Sequence, residues 1–167
     1  MLNLTLKEVA ILAEGKLNNE KFNDLIANVI SIDTRTIEVG EVYMPIIGEK
    51  LDGHLFIDQA FEKGAIAAFC EEGRETCQDN RPYIFVKNSN EAFQTLASNY
   101  RKKLDGTKIV ALTGSNGKTT TKDIISSILR RKYKVRKTIG NLNNEIGVPR
   151  TLLRMEDDTD VGVVEMG

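Results

Sequence analysis

The sequence predicts an α/β protein in two parts. A small mixed-sheet α/β domain is expected over residues 1–104, and the first strands and helices of a parallel sheet over residues 105–167. Apolar residues recur at helical spacing in several segments, and short apolar runs typical of buried strands lie between them. After residue 106 strands and helices alternate, as they do in parallel sheets with crossover helices. Asp105-Gly106 is a turn dipeptide that marks the boundary between the two parts.

Composition narrows the class of protein. Hydrophobic residues make up 41% of the 167 residues and charged residues 28%, which are ordinary values for a globular chain with a core. The formal net charge of −1 disfavours nucleic-acid binding, because such binding relies on an excess of Lys and Arg. The N-terminus has no signal-peptide pattern, and no apolar run approaches the roughly 20 residues that span a bilayer. We therefore expect a soluble, cytoplasmic protein without a membrane span.

Two cysteines, Cys70 and Cys77, lack the spacing of metal ligands. We expect them to be free thiols in a reducing compartment, and a disulfide across the short loop between them is the alternative.

The first part begins with a helix whose start is marked by Thr5 and Glu8, which have the spacing of a capping box. Strands are predicted over residues 29–33 and 41–47, and a helix over residues 54–63. Two more strands lie in A-I-A-A-F-C and Y-I-F-V, and a helix runs from Ser89 or Asn90 to about residue 104. His54, the one histidine, is expected to act in a turn or a cap rather than in catalysis.

The second part begins with K-I-V-A-L-T, an apolar strand of the kind found in parallel sheets covered on both faces. A helix over about residues 119–131 follows. A strand near Val135, a helix entered through Val148-Pro149 and a final strand in D-V-G-V-V-E-M-G complete the pattern. The helix over about residues 119–131 is expected to turn one apolar face inward, formed by Ile124, Ile125, Ile128 and Leu129. With three strands only, the sheet is expected to be a truncated portion of a larger one.

The stretch T-G-S-N-G-K-T-T-T-K, Thr113 to Lys122, is shorter between its glycines than the usual phosphate-binding loop. The ability of the loop to bind phosphate does not depend on the number of residues between its glycines. A buried strand leads into Gly114, Gly117 permits close approach of an anion, and the next helix directs its free amide groups at that point. Lys118 can reach terminal phosphates, and the Thr119 hydroxyl can ligate a phosphate-bound magnesium ion. The sequence therefore predicts a nucleotide-binding P-loop.

The form T-G-S-N-G-K-T-T resembles the ATP loop of the Mur ligases and of the related folylpolyglutamate synthetases, which form amide bonds. The segment T-I-G-N-L-N-N-E-I-G-V-P-R-T-L-L-R is similar to the Mur ligases that join D-alanyl-D-alanine to UDP-N-acetylmuramoyl tripeptide. Upstream, S-I-D-T-R-T-I-E-V-G-E-V-Y and G-E-K-L-D-G-H-L-F-I-D-Q-A-F-E-K-G-A resemble the first domain of the family. The resemblance covers the whole chain in order.

This resemblance implies ATP and Mg²⁺ as cofactors and assigns roles to residues of the second part. The residues that would cradle the ATP phosphates are Gly114, Ser115, Asn116, Gly117, Lys118, Thr119 and Thr120. Thr119 and Glu165 would hold Mg²⁺, and Glu165 ends a strand at the edge of the sheet where ligands bind. Lys118, Asn143 and Asn144 are the candidate catalytic residues. The alternatives are a solvent-exposed carboxylate at Glu165 and backbone-capping amides at the two asparagines.

In the first part, the resemblance places Asp33, Thr34 and Arg35 at the uridine diphosphate end of the substrate. An arginine fork suits a diphosphate because it donates two hydrogen bonds at once. Residues 1–104 would then be a UDP-substrate-binding domain, and residues 105–167 the amino-terminal part of an ATP-binding central domain. The sequence departs from the family in Gly48-Glu49-Lys50, where an arginine is usual at the third position.

The implied reaction proceeds through an acyl phosphate on the tripeptide, which the amine of D-alanyl-D-alanine attacks. Family members continue past E-M-G, so we expect this chain to be an inactive fragment whose truncated sheet edge can self-associate. Three other functions are the alternatives. They are a ligase that adds a diamino acid, a folylpolyglutamate synthetase, and a standalone UDP-sugar or nucleotide-binding module without catalysis. Whether the tripeptide ends in lysine or diaminopimelate stays open.

Overall fold

A computed structural model describes residues 2–77 and 79–167 of the chain. Their contacts form two compact units, Leu2–Leu96 and Ala97–Gly167. The division between the units falls inside the helix Ser89–Lys103. The predicted domain boundary, between residues 104 and 105, lies just after that helix and stays a prediction.

The described residues of the first unit form seven strands and two complete helices. The strands are β1 (Leu4–Thr5), β2 (Lys16–Leu17), β3 (Ile26–Ala27), β4 (Val29–Ser31), β5 (Glu41–Tyr43), β6 (Ala67–Glu71) and β7 (Tyr83–Val86). The helices are α1 (Leu6–Leu12) and α2 (Ile57–Glu62), and 3-10 turns lie at Glu20–Phe22, Gly53–Phe56 and Glu75–Cys77. Helix α3 (Ser89–Lys103) leads into the second unit.

A mixed five-stranded sheet forms the centre of the first unit, in the order β2-β7-β6-β5-β4. β2 pairs with β7 antiparallel, and the other neighbours are parallel. Residues Ala67 to Cys70 of β6 are completely buried, as expected for a central strand. The mixed α/β architecture predicted from the sequence is therefore confirmed.

The capping box is present at the start of α1. The Thr5 hydroxyl accepts a hydrogen bond from the Glu8 amide at 3.2 Å, and a Glu8 carboxylate oxygen accepts one from the Thr5 amide at 2.9 Å. The inward residues of α1 and α3 are buried as their spacing predicts. They are Leu6, Val9, Ala10 and the C-cap residue Ala13 for the first helix, and Ala92, Phe93, Leu96 and Tyr100 for the second. Local capping and apolar spacing thus account for both helices.

Strands β4 and β5 are shorter than predicted. β4 ends at Ser31 because the chain enters a turn in which the Thr36 amide donates to the Asp33 carbonyl at 3.2 Å. β5 ends at Tyr43, two residues before Pro45, which has no amide hydrogen for a ladder.

The expectation of free thiols at Cys70 and Cys77 is wrong in this structure. The two sulfur atoms are bonded at 2.01 Å, and the Cα atoms lie 6.6 Å apart. Cys70 lies in β6, and the 3-10 turn that ends at Cys77 brings the second sulfur back to it. Spacing along the chain carries no signal for this return, so the pairing depends on the tertiary structure.

The second unit contains a parallel three-stranded sheet in the order β8-β10-β9. Its strands are β8 (Lys108–Leu112), β9 (Val135–Lys137) and β10 (Val161–Glu165), and its helices are α4 (Lys118–Leu129) and α5 (Gly147–Leu152). β10 is buried along its whole length, because it has a neighbour on each side. β8 was expected to be covered on both faces, yet Lys108 and Ala111 are exposed and the strand lies at an edge.

The predicted inward face of α4 is partly wrong. Ile124 and Ile128 are 55% and 63% exposed, whereas Lys122 and Ser126 are buried. Ile125 and Leu129 do pack against the β-strand residues of this unit. The helix is therefore rotated relative to the prediction, and Lys122 faces inward. Among the described residues, no helix is both long and apolar enough to cross a membrane.

Candidate functional site

The candidate site lies at the carboxyl edge of the three-stranded sheet, within the second unit. β8 and β10 are parallel, with Leu112 opposite Glu165 at their ends. The loop Thr113–Gly117 follows β8, and α4 begins at Lys118. The carboxyl edge of parallel strands, next to a helix N-terminus, is where open α/β sheets bind ligands.

The loop owes its shape to two glycines. Gly114 has φ 147° and Gly117 has φ 75°, and both values lie in a region that L side chains rarely adopt. Residues 113–117 are exposed. Gly117 is the N-cap of α4 and has no side chain with which to cap it, so the first amide groups of the helix are directed at the loop. A twelve-residue helix with this opening is well suited to an anion.

Lys118 lies across the mouth of the loop. Its Nζ donates a hydrogen bond to the Gly114 carbonyl at 2.5 Å, and the side chain is half-buried. The ammonium is therefore held over the loop residues that would surround a phosphate group.

Glu165 is the centre of a cluster of polar side chains. Its carboxylate is buried and accepts hydrogen bonds from the Thr119 hydroxyl at 3.1 and 3.3 Å and from Asn143 Nδ2 at 3.0 Å. The ammonium of Lys122 lies 3.4 Å from Oε2. The Glu165 amide donates to the Thr138 hydroxyl at 3.0 Å, which fixes the end of β10. The structure thus brings Thr119, Asn143 and Glu165 together from α4, a loop and β10.

The electrostatics of Glu165 reflect two opposing effects. Burial raises the pKa of its carboxyl group, but the hydrogen bonds from Asn143, Thr119 and Lys122 and the Lys122 charge outweigh burial and lower the pKa below its ordinary value. The group is therefore an anion at neutral pH.

Asn143 and Asn144 have different positions. Asn143 reaches Glu165, whereas Asn144 Oδ1 accepts hydrogen bonds from the amides of Gly147 at 2.8 Å and Ile146 at 3.3 Å. The capping alternative therefore describes the contacts of Asn144 but not those of the Asn143 side chain.

Thr119 and Glu165 have the chemistry that Mg²⁺ prefers. A hydroxyl and a carboxylate are hard oxygen ligands, and Mg²⁺ in nucleotide sites uses one or two carboxylates together with phosphate oxygens and water. Within residues 2–77 and 79–167, no group of three or more His, Cys, Asp or Glu side chains forms a metal site. A cation here would thus take its remaining ligands from phosphate oxygens and water.

The three predicted substrate residues lie in the first unit, in the turn after β4. The side chain of Arg35 is 85% exposed, and its Nη2 and Nε donate to the two carboxylate oxygens of Asp33 at 2.7 and 2.9 Å. The Thr34 hydroxyl is buried and donates to Gln59 Oε1 at 2.6 Å, while the Thr34 carbonyl accepts from Lys63 at 2.8 Å. Helix α2 and its end therefore hold this turn, and the arginine faces solvent.

Sequence reasoning missed Lys122. The residue lies three positions after Thr119, so the two side chains share a helix face, and this spacing was the available signal. The signal is weak, because a lysine in the middle of a helix is ordinarily a solvated residue.

Comparison with known proteins points to one family. A model described as the Mur ligase family catalytic domain matches residues 27–101, and one described as the Mur ligase middle domain matches residues 112–167. The UDP-N-acetylmuramoyl-tripeptide–D-alanyl-D-alanine ligase of Bacillus subtilis is 40% identical over 167 residues, which are 100% of this chain and 36% of the relative. The chain thus spans little more than a third of that relative's length.

Solved structures give the same result. The crystal structure of MurF from Acinetobacter baumannii superposes with a TM-score of 0.90 at 30% identity, over 98% of this chain and 36% of the other. MurF ligase from Thermotoga maritima, solved in complex with ADP, has a TM-score of 0.70 at 36% identity over 83% of this chain and 31% of the other. Two models of one family match successive parts of the sequence, and the fold agrees over nearly its whole length, so the chain belongs to the Mur ligase family.

Proposed function

We propose that this chain is part of an ATP-dependent ligase of peptidoglycan precursor synthesis. The ligase would join D-alanyl-D-alanine to UDP-N-acetylmuramoyl tripeptide. The observation that carries the proposal is the contact of the Thr119 hydroxyl with the buried Glu165 carboxylate, directly behind a glycine loop at a helix N-terminus. The names of the Bacillus subtilis relative and the MurF structures support the choice of substrate. They also favour this ligase over one that adds a diamino acid.

In this proposal the loop residues 114–120 hold the phosphates of ATP through backbone amides, and Lys118 contacts the terminal phosphates. Thr119 and Glu165 would hold Mg²⁺, whose charge would help to neutralise the phosphate oxygens. Asn143 holds Glu165 in place through its 3.0 Å hydrogen bond, and Asn144 shapes the loop that carries Asn143. These residues position charge rather than form covalent bonds.

The chemistry is a two-step transfer. A carboxylate oxygen of the tripeptide would bond to the terminal phosphorus of ATP, releasing ADP and leaving an acyl phosphate. The amine of D-alanyl-D-alanine would then bond to the acyl carbon, lose a proton and release phosphate. We place this reaction in the cytoplasm, the location predicted from the sequence.

The uridine diphosphate end of the substrate would bind in the first unit, at Asp33, Thr34 and Arg35. The exposed Arg35 fork can exchange its contact with Asp33 for a diphosphate, which offers the same geometry. Thr34 fixes the turn through Gln59 and Lys63. Lys50 of Gly48-Glu49-Lys50 is also exposed and adds a cation to this unit.

Calorimetric titration with ATP and Mg²⁺ tests the nucleotide site. We expect the chain to bind ATP and the Lys118→Met variant to bind at least about tenfold more weakly, because a charge contact to phosphate is removed. Lys108→Met is the matched control, since Lys108 lies at the far end of β8 from the loop. Equal ATP affinity in the Lys118→Met variant would contradict the proposal.

Turnover is measured in the same samples after both substrates are added. We expect no phosphate release, because the chain spans only 36% of its ligase relative. Steady release from the purified chain would show that the chain is active alone and contradict this expectation.

A further inference from the structure

Lys122 is a buried charge that the proposed reaction does not use. Its side chain is 3% exposed, and its Nζ lies 3.4 Å from Glu165 Oε2 and 4.0 Å from Asp123 Oδ1. A buried ammonium group is costly unless a partner compensates its charge. The role of Lys122 therefore follows from the group that compensates its charge.

Glu165 is that partner. Asp123 is half-exposed and already forms an ion pair with Lys137 at 2.6 Å. The Glu165 side chain, by contrast, is only 2% exposed. In the part of the chain that the structure describes, the positive charge that lies against it is the Lys122 ammonium. Each group compensates the other in a place that water does not reach.

The same carboxylate is the proposed metal ligand. A divalent cation held by Thr119 and Glu165 would lie close to the Lys122 ammonium and be repelled by it. Phosphate oxygens in the loop would offset this repulsion by adding negative charge. The metal would then bind poorly to the free chain and well together with a nucleotide, which is a coupling between two ligands.

We propose that Lys122 is a positioning residue that acts through Glu165. Its ammonium compensates the charge of the carboxylate beside Thr119 and so makes divalent-cation binding depend on nucleotide phosphates. This inference rests on the proposed role of Glu165 as a metal ligand.

The test measures binding of Mn²⁺ alone to the full 167-residue chain, from the electron paramagnetic resonance signal of free Mn²⁺. We expect the Lys122→Met variant to bind Mn²⁺ at least about tenfold more tightly than the unmodified chain without nucleotide. The Lys122→Arg variant keeps the charge and should bind as weakly as the unmodified chain. Lys132→Met removes an exposed lysine just beyond α4 and should change nothing.

A purely structural role of Lys122 predicts the opposite, because loss of packing would weaken Mn²⁺ binding. Unchanged or weaker binding in the Lys122→Met variant would therefore overturn the inference. Thermal unfolding adds a second readout: this variant should melt lower than the unmodified chain without metal and regain stability with Mn²⁺. If the Lys122→Met variant is not folded by circular dichroism, Lys122→Gln takes its place in the same comparison.

The Glu165→Gln substitution distinguishes a failure of the inference about Lys122 from a failure of the proposed metal role of Glu165. Introduced together with Lys122→Met, it should abolish the tight Mn²⁺ site. If the double variant still binds Mn²⁺ tightly, the metal role of Glu165 and the inference both fail. If the double variant loses the site but Lys122→Met alone shows no gain over the unmodified chain, only the inference fails.

Discussion

His54 is almost completely buried, and its ring links three segments of the first unit. Nδ1 lies 2.7 Å from Asp52 Oδ1, while Nε2 accepts a hydrogen bond from the Glu71 amide at 3.2 Å and lies 3.2 Å from the Ser89 hydroxyl. Because an amide can only donate, Nε2 is an acceptor and the proton is on Nδ1. Arg74 completes the network through Asp52 and Glu71. Beyond its expected role in a turn or a cap, His54 thus joins a larger, partly buried network.

This network predicts a pH-dependent stability. Burial lowers the pKa of His54 despite the hydrogen bond with Asp52, so the folded-state pKa lies below the unfolded value of 6.5. The contribution of neutral His54 to the free energy of unfolding is therefore complete above pH 6.5. Below that pH the unfolded state takes up the proton first, so the contribution is lost as pH falls through the folded-state pKa, by up to about 1.4 kcal/mol per pH unit. Urea unfolding from about pH 7 to about pH 5 measures this loss.

The His54→Gln variant is the control, and it should show a flatter dependence over the same range. Asp52 does not interfere: hydrogen bonds from His54 and Arg74 outweigh burial and hold its pKa at about 2 in the unmodified chain, and its ordinary pKa of 3.8 also lies below this range. An equal loss of stability in the variant would show that other groups cause it.

At the scale of elements, the backbone approaches itself closely at Gly147, where α5 begins. A Cβ atom at Gly147 would lie 2.3 Å from the Leu142 carbonyl carbon and 2.5 Å from its Cα. The Gly147 amide is bonded to Asn144, and its carbonyl accepts from the Thr151 hydroxyl at 2.9 Å. This close approach holds the loop that carries Asn143 toward Glu165.

Gly147→Ala should therefore destabilise the second unit by about 2 to 3 kcal/mol, because the methyl group meets backbone atoms rather than a flexible side chain. Gly106→Ala is the matched control, since a Cβ there meets nothing within 4 Å. Thermal unfolding of both variants gives the comparison. A Gly147→Ala variant as stable as the control would mean that the loop can move away at little cost.

At the scale of the whole molecule, the second unit has apolar groups at its surface. β8 is an edge strand that in the described residues pairs with β10 alone, and Ile124 and Ile128 of α4 are more than half exposed. An unpaired strand edge and exposed apolar side chains both favour association with another chain. Self-association of the chain therefore stays a prediction.

Sedimentation at rising protein concentration tests the predicted self-association. We expect the apparent mass to increase, and the Ile124→Glu, Ile128→Glu double variant to reduce that increase by adding charge to the apolar surface. Ile11→Glu is the control, because Ile11 is as exposed as Ile128, at 63%, but lies on α1. A chain that stays monomeric at high concentration would contradict the prediction.

Local signals determined much of this protein. The capping box at Thr5, the apolar spacing of α1 and α3, and the strand, glycine loop and helix around Lys118 were predictable because each depends on neighbours within a few residues. The shortened loop and the segment from Thr138 to Arg154 also indicated the Mur ligase family.

Only the tertiary structure decided the rest. The disulfide between Cys70 and Cys77, the rotation of α4 that buries Lys122, and the contacts of Asn143 with Glu165 all join parts of the chain that approach each other after folding. Apolar spacing favoured an isoleucine face for α4, but a buried carboxylate at the end of β10 requires a charge partner, and Lys122 meets that need. Patterns along a sequence report local preference, whereas compensation of a buried charge depends on which distant group lies opposite it.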